Sequence, residues 1–220
     1  MVDLIRGLRA EQVATNLARV REEIAAAGRD PGTVQILAAV KYVPSDELRV
    51  LADAGLVLLG ENRAQDLVAK ADAYPGLFTW DFIGHLQSRK VRQLLPYVRY
   101  IHSVASDSAL EQLGRHGSAE TRVLVEVNVS GEEGKSGVSP AELPAFLARC
   151  PVTVIGLTTM PPLASAPEQS RPYFATLRQL AERHGLANLS MGTSQDYLVA
   201  VQEGATIVRL GGTLYASKTQ

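Results

Sequence analysis

The stretch QILAAVKYVPSD, residues 35–46, carries a nearly pure apolar run to Lys41 and then stops at Pro44. An ammonium at the end of a core strand is costly unless it is paired, or unless burial turns it toward a neutral amine that can attack a carbonyl. Lys41 is therefore a candidate Schiff-base nucleophile for an aldehyde, either a substrate's or a cofactor's. The plainer alternative is a lysine that caps its strand by reaching solvent or by pairing with Glu61. Near the other end of the chain, Thr193 and Ser194 open a helical segment, and Gly211 and Gly212 let backbone N–H groups come close to a ligand. Singly, TSQD is a capping box of Thr193 with Asp196, and the glycines form a tight turn. Together with Lys41 they make a coherent site for a phosphorylated aldehyde. Arg209 lies just ahead of the glycines. Its guanidinium keeps its proton, so it either donates a hydrogen bond to a ring nitrogen and holds that nitrogen unprotonated, or pairs with a core carboxylate such as Glu126.

Other chemistries find less support. His85, His102, His116 and His184 show no metal-ligand spacing, and neither G-x-G-x-x-G nor G-x-x-x-x-G-K-[ST] occurs. GEEGKSG lacks the phosphate-loop spacing, so Lys135 reads as part of a solvated loop, and Glu61, Asp66 and Lys70 in ENRAQDLVAK read as a polar helix face. With 22 Lys+Arg against 23 Asp+Glu and no basic block, nucleic acid is not an expected partner. The single cysteine, Cys150, excludes an intrachain disulfide and a cysteine-rich metal site. The start, MVDLIRGLRAEQ, lacks the apolar core of a signal peptide, and no apolar run approaches a membrane span, so a cytoplasmic protein is expected.

These residues need a scaffold that brings the two ends of the chain together. After an opening helix over residues 8–27, with Gly28 as its stop, apolar runs alternate with amphipathic segments. The runs cover residues 34–40, 56–60, 79–84, 100–104, 122–129, 152–158, 188–192 and 206–211, the fourth being the weakest. Stretches such as VLVEVNV and ATIVRLGG suit strands buried on both faces, as in a parallel sheet wrapped by helices. The expectation is α/β: a single (β/α)₈ TIM barrel with an extra N-terminal helix, one domain over 1–220, with a doubly wound open sheet as the alternative. In such a barrel the reactive groups lie where strands end, as Lys41, Asn62, Ser194 and Gly211 do. The Pro-rich TTMPPLASAPEQSRP after the sixth run reads as a loop over the barrel mouth.

The motifs AAVKYVP, GENRAQD, WDFIGHLQSRK, VLVEVNVSGEEGKSGV, GLTTMPP and LSMGTSQDYLVAVQEGATIVRLGG occur in this order and cover nearly the whole chain. In them the chain resembles the pyridoxal phosphate homeostasis proteins, single-domain relatives of the barrel domain of bacterial alanine racemases. The resemblance implies pyridoxal 5'-phosphate (PLP) as cofactor, held as a Schiff base on Lys41 with Asn62 beside it. It also implies that Ser194 and the backbone at Gly211 and Gly212 bind the phosphate, Arg209 faces the pyridine nitrogen, and Ser190, Met191 and Thr193 line the same wall. The implied function is vitamin B6 homeostasis with no catalytic residues assigned: custody of PLP and other B6 vitamers, and supply to PLP-dependent apo-enzymes. Two departures stand out: Arg89 replaces an asparagine in GHLQSRK, and Gly212 replaces a threonine in RLGG, so its part in phosphate binding rests on its N–H alone.

Two enzymatic alternatives use the same lysine. An amino-acid racemase needs a second acid/base on the opposite cofactor face, which alanine racemases take from an additional domain not expected here. Tyr42, Tyr197 and Tyr215 are the candidate substitutes. A Schiff-base aldolase would use Lys41 without a cofactor. The missing second domain makes a monomer the expectation.

Overall fold

Short runs of β-branched and aliphatic residues form strands that hide both faces, and eight such strands close into a barrel. The computed structural model describes residues 4–216, so the first three and last four residues of the expected domain lie outside them. The strands are β1 (Gln35–Ala39), β2 (Leu58–Glu61), β3 (Thr79–Phe82), β4 (Val98–Val104), β5 (Arg122–Glu126), β6 (Thr153–Thr158), β7 (Asn188–Thr193) and β8 (Ile207–Leu210). Each pairs in parallel with the next, and β8 pairs with β1 from Gln35 opposite Ile207 to Ala38 opposite Leu210. That last ladder excludes the open doubly wound sheet.

The helices are α1 (Ala10–Ala26), α2 (Leu48–Asp53), α3 (Ala64–Ala73), α4 (Val91–Leu94), α5 (Asp107–His116), α6 (Leu143–Arg149), α7 (Arg171–Arg183), α8 (Tyr197–Gln202) and α9 (Gly212–Tyr215). The extra helix α1 buries Val13, Leu17, Val20 and Ile24, one stripe at helical spacing. It ends before Gly28, whose φ of 86° turns the chain where an L side chain would be strained. Asn16 Nδ2 ties α1 to α9 and the residue after it by donating to the carbonyls of Leu214 and Ala216, both at 3.0 Å.

Alternation along the strands divides the core in two. Outward residues such as Ala38, Leu59, Phe82, Val125, Met191 and Val208 join the apolar layer beneath the helices. Inward positions carry Leu37, Leu124 and Ile207 together with the polar side chains of Asp81, His102, Ser190 and Arg209, all buried. This explains β4, whose inward polar residues interrupt the apolar run that makes a strand legible. It is nonetheless seven residues long and begins at Val98.

Candidate functional site

At the C-terminal ends of the strands lies a cavity of about 460 Å³. Its wall includes Lys41, Asn62, Thr193, Ser194, Arg209, Gly211 and Gly212, together with Ile5, Ala39, Tyr42, Ile83, Gly84, His85, Met160 and Tyr215. Residues from the first two and the last two strand–helix units thus meet at one opening, as the strand-end argument requires. Ser190 and Met191 do not line it. Consecutive strand residues face opposite sides: Ser190 points into the barrel, and Met191 packs in the apolar layer outside it.

Lys41 follows β1 and is exposed, so it is not buried and its side chain reaches solvent, as one form of the plainer alternative has it. Its Nζ lies 5.0 Å from the centroid of the Tyr42 ring and forms no salt bridge among the described residues. The alternative pairing with Glu61 is closed, because Glu61 is taken. Fully buried at the end of β2, its Oε2 accepts from Lys70 Nζ at 2.5 Å and its Oε1 from the backbone N–H of Asn62 at 2.7 Å. Lys70 also donates to the carbonyl of Val40 at 2.7 Å. The pair expected to lie on a polar helix face is instead a buried clamp that fixes the backbone next to Lys41 and at Asn62. Asn62 Oδ1 is buried without a partner among the described residues. Gly84 presses against the same backbone: a Cβ there would lie 2.0 Å from the Asn62 carbonyl oxygen.

The opposite wall gathers donors. The N–H groups of Gly211 and Thr213 both donate to Ser194 Oγ at 3.2 Å, so the hydroxyl sits where two amides converge. At Gly212 a Cβ would meet nothing within 4 Å, so the backbone is open there. Thr193 is committed elsewhere: its N–H and hydroxyl donate to Asp196 Oδ1 at 2.8 and 3.1 Å, but Thr193 ends β7 and α8 begins only at Tyr197, so the pair closes the intervening turn and neither Thr193 nor Ser194 opens the helix as a capping box. Thr213 was not signalled by its side chain; its contribution is an N–H that becomes visible only once the turn is built. Met160, at the start of the Pro-rich loop, lines both this cavity and a neighbouring one of about 430 Å³.

Arg209 is buried but has no carboxylate partner among the described residues; Glu126 instead accepts from Ser136 Oγ at 2.9 Å. Its Nη1 donates to Thr158 Oγ1 at 2.5 Å, to the Ser190 carbonyl at 3.1 Å and to Ser190 Oγ at 3.0 Å, and Nη2 donates to the Thr159 carbonyl at 2.9 Å. Burial lowers its pKa to about 10, against the pull of Glu126 and Asp196, so it stays charged at neutral pH. Deeper in the barrel, Ser190 Oγ lies 2.9 Å from His102 Nδ1, and His102 Nε2 lies 3.0 Å from Asp81 Oδ2. Arg99 closes the far side with two hydrogen bonds to the same carboxylate, at 3.0 and 2.6 Å. Burial, with the charges of Arg209 and Arg99, outweighs Asp81 and holds the His102 pKa below its ordinary value. Burial also disfavours ionised Asp81, but the hydrogen bonds from His102 and Arg99 prevail and lower its pKa. The sequence signal for this set was a carboxylate in TWDF and an imidazole in YIHSV, both polar at strand centres; spacing rules for metals do not detect it.

Of the tyrosines, Tyr42 and Tyr215 reach the cavity, whereas the Tyr197 hydroxyl bonds Glu23 on α1. Tyr215 donates to the Ala39 carbonyl at 3.3 Å, and burial, then the charge of Glu61, pushes its pKa up. Among the described residues no group of three or more His, Cys, Asp or Glu could hold a metal ion, and no helix is long and apolar enough to cross a membrane.

No protein-family model matches the chain. Individual relatives do. The pyridoxal phosphate homeostasis protein of Aquifex aeolicus is 38% identical, with 94% of this chain and 97% of the relative covered. The solved structure of PipY of Synechococcus elongatus with PLP bound is 31% identical at a TM-score of 0.77, covering 93% of this chain and 100% of that one. Alanine racemase from Corynebacterium glutamicum shares the barrel at a TM-score of 0.70 and 18% identity, covering 100% of this chain and 65% of that one.

Two consequences can be measured. Lys70→Met strands the Glu61 carboxylate in the core and is expected to cost about 3–5 kcal/mol in urea unfolding, while the double variant Lys70→Met/Glu61→Gln recovers most of the loss. For His102, the folded pKa lies below the unfolded value of 6.5, so the unfolded chain takes up more protons as the pH falls. The stabilisation is complete above that value and declines below it, toward the lowered folded pKa. Melting temperatures between pH 7 and pH 5 should therefore fall less steeply in His102→Phe than in the parent protein.

Proposed function

The chain belongs to the pyridoxal phosphate homeostasis protein family, and we propose that it binds PLP in the cavity at the barrel mouth, with Lys41 bonded to the aldehyde. One observation carries this reading. An amine with no ion-pair partner among the described residues shares the wall of one cavity with a hydroxyl on which two backbone N–H groups converge. The residues fit the group. The amides of Gly211 and Thr213 and the Ser194 hydroxyl suit a phosphate, and the open side of Gly212 leaves it room. The unpartnered Asn62 Oδ1 offers an acceptor beside Lys41, and Ala39 and Ile83 supply apolar wall for a ring. Thr193 commits both its N–H and its hydroxyl to Asp196, so it supports the turn and offers the ligand no donor from its side chain.

When bound, PLP supplies an aldehyde that condenses with amines. Arg209, charged and donating, would face the pyridine nitrogen and keep it unprotonated, which makes the ring a weaker electron sink than a carboxylate partner would. That setting suits holding the cofactor more than driving carbanion chemistry. For racemisation, Tyr215 is a poor second base because its hydroxyl is committed to Ala39 and its pKa is raised. The reading extends to other B6 vitamers as ligands, to PLP-dependent apo-enzymes as recipients, and to a cytoplasmic monomer.

Purified protein given PLP should turn yellow, with a visible band that borohydride alters and that Lys41→Ala abolishes. A protein that stays colourless at saturating PLP would falsify the reading, and borohydride trapping of a sugar phosphate instead would favour the aldolase. For supply, the loaded protein should activate a PLP-dependent apo-enzyme faster than its own release rate permits. Equal rates would leave storage alone.

A further inference from the structure

We propose that Ser190, His102 and Asp81 form a buried hydrogen-bond relay that positions Arg209, and that they thereby tune the ring of a ligand they never touch. The proposal rests on the functional reading above, in which Arg209 faces the pyridine nitrogen.

The direction of the relay follows from which atoms can donate. The guanidinium of Arg209 only donates, so Ser190 Oγ must accept from it, at 3.0 Å. The Ser190 hydroxyl then has its own proton to place, and the nearest partner is His102 Nδ1 at 2.9 Å. With Nδ1 accepting, Nε2 carries the imidazole proton and gives it to Asp81 Oδ2 at 3.0 Å. Every donor points the same way, from Arg209 down to the carboxylate. The lowered pKa of His102 agrees with this neutral tautomer. Arg99 and Gln35, at the opposite end of the barrel, hold the terminus: Arg99 grips both oxygens of Asp81 and donates to Gln35 Oε1 at 2.9 Å.

The need for such a relay lies in Arg209 itself. A buried guanidinium without a carboxylate partner must be located by neutral acceptors, and its planar fork tolerates little misplacement. Nη1 is bound by Thr158 and Ser190 and Nη2 by the Thr159 carbonyl and, at 2.9 Å, by Met160 Sδ, which leaves Nε without a partner among the described residues while Arg209 lines the cavity. By hydrogen bonds Asp81 is linked to Arg209 through His102 and Ser190, and each bond in such a chain polarises the next. The three side chains share the residue types of a hydrolase triad, but Ser190 is 0% and His102 1% exposed, so no substrate reaches the hydroxyl. They are positioning residues.

The test loads parent protein, Ser190→Ala, His102→Phe and Arg209→Lys with PLP and records absorption across pH, PLP retention and melting temperature. Ser190→Ala and His102→Phe should each shift the pH titration of the bound PLP band, in the same direction as Arg209→Lys, and weaken retention about fivefold, as expected for one lost buried hydrogen bond. Adding Ser190→Ala to Arg209→Lys should shift the band no further. Folded Ser190→Ala and His102→Phe proteins with the parent's spectrum and retention, alongside an altered Arg209→Lys, overturn the relay. Nitrogen-15 NMR of the ligand-free parent supplies an arm that needs no PLP. His102 should be the Nε2–H tautomer, and an Nδ1–H tautomer overturns the relay even if PLP binds. A parent protein that takes up no PLP removes the functional reading instead, and the tautomer then decides the relay alone.

Discussion

The hydrogen-bonded ladder between β1 and β8 makes one site out of the two ends of the chain. Lys41 follows β1, while Arg209 lies on β8 with Gly211 and Gly212 just beyond it, and residues 38 and 210 stand side by side in that ladder. An open sheet would place these groups at opposite edges. Closure also sets the size of the interior, because inward side chains from eight strands must share one narrow column. Whatever is polar in that column must find its partner there.

The molecule holds two buried polar assemblies, one outside the barrel wall and one in the column itself. Between β2 and α3, Glu61 and Lys70 satisfy each other and then reach backbone groups at Asn62 and Val40. Desolvating both charges costs several kcal/mol each, so the pair is better understood as fixing geometry than as adding stability. In the barrel interior, Asp81, His102, Ser190 and Arg209 run from the base toward the mouth. Both assemblies end on atoms of the cavity wall, so the rigidity of the site is inherited from the core and not from its loops.

The architecture was legible because strands buried on both faces write continuous apolar runs, and because a strand-end rule selects Lys41, Asn62, Ser194 and Gly211 from the chain. What stayed hidden depends on partners distant in sequence. Glu61 and Lys70 lie on different elements, so helical spacing misreads them as one exposed face. Asp81 and His102 interrupt their own strands, which weakens the very signal by which β4 would be found. Ser190 and Met191 show the opposite failure: a motif groups neighbours, whereas strand alternation sends one inward and the other out. The family resemblance carried the cofactor and its fold, but it was silent on the side of the strand each residue occupies.

The Ser194 hydroxyl, receiving the N–H groups of Gly211 and Thr213, gives the ligand-free cradle an acceptor of its own. An anion bound there would compete with that hydroxyl for the two amides, so its net gain would be smaller than the number of hydrogen bonds it would show. The two N–H groups are satisfied by the hydroxyl itself, and any ligand exchange would run between two hydrogen-bonded states of the same backbone.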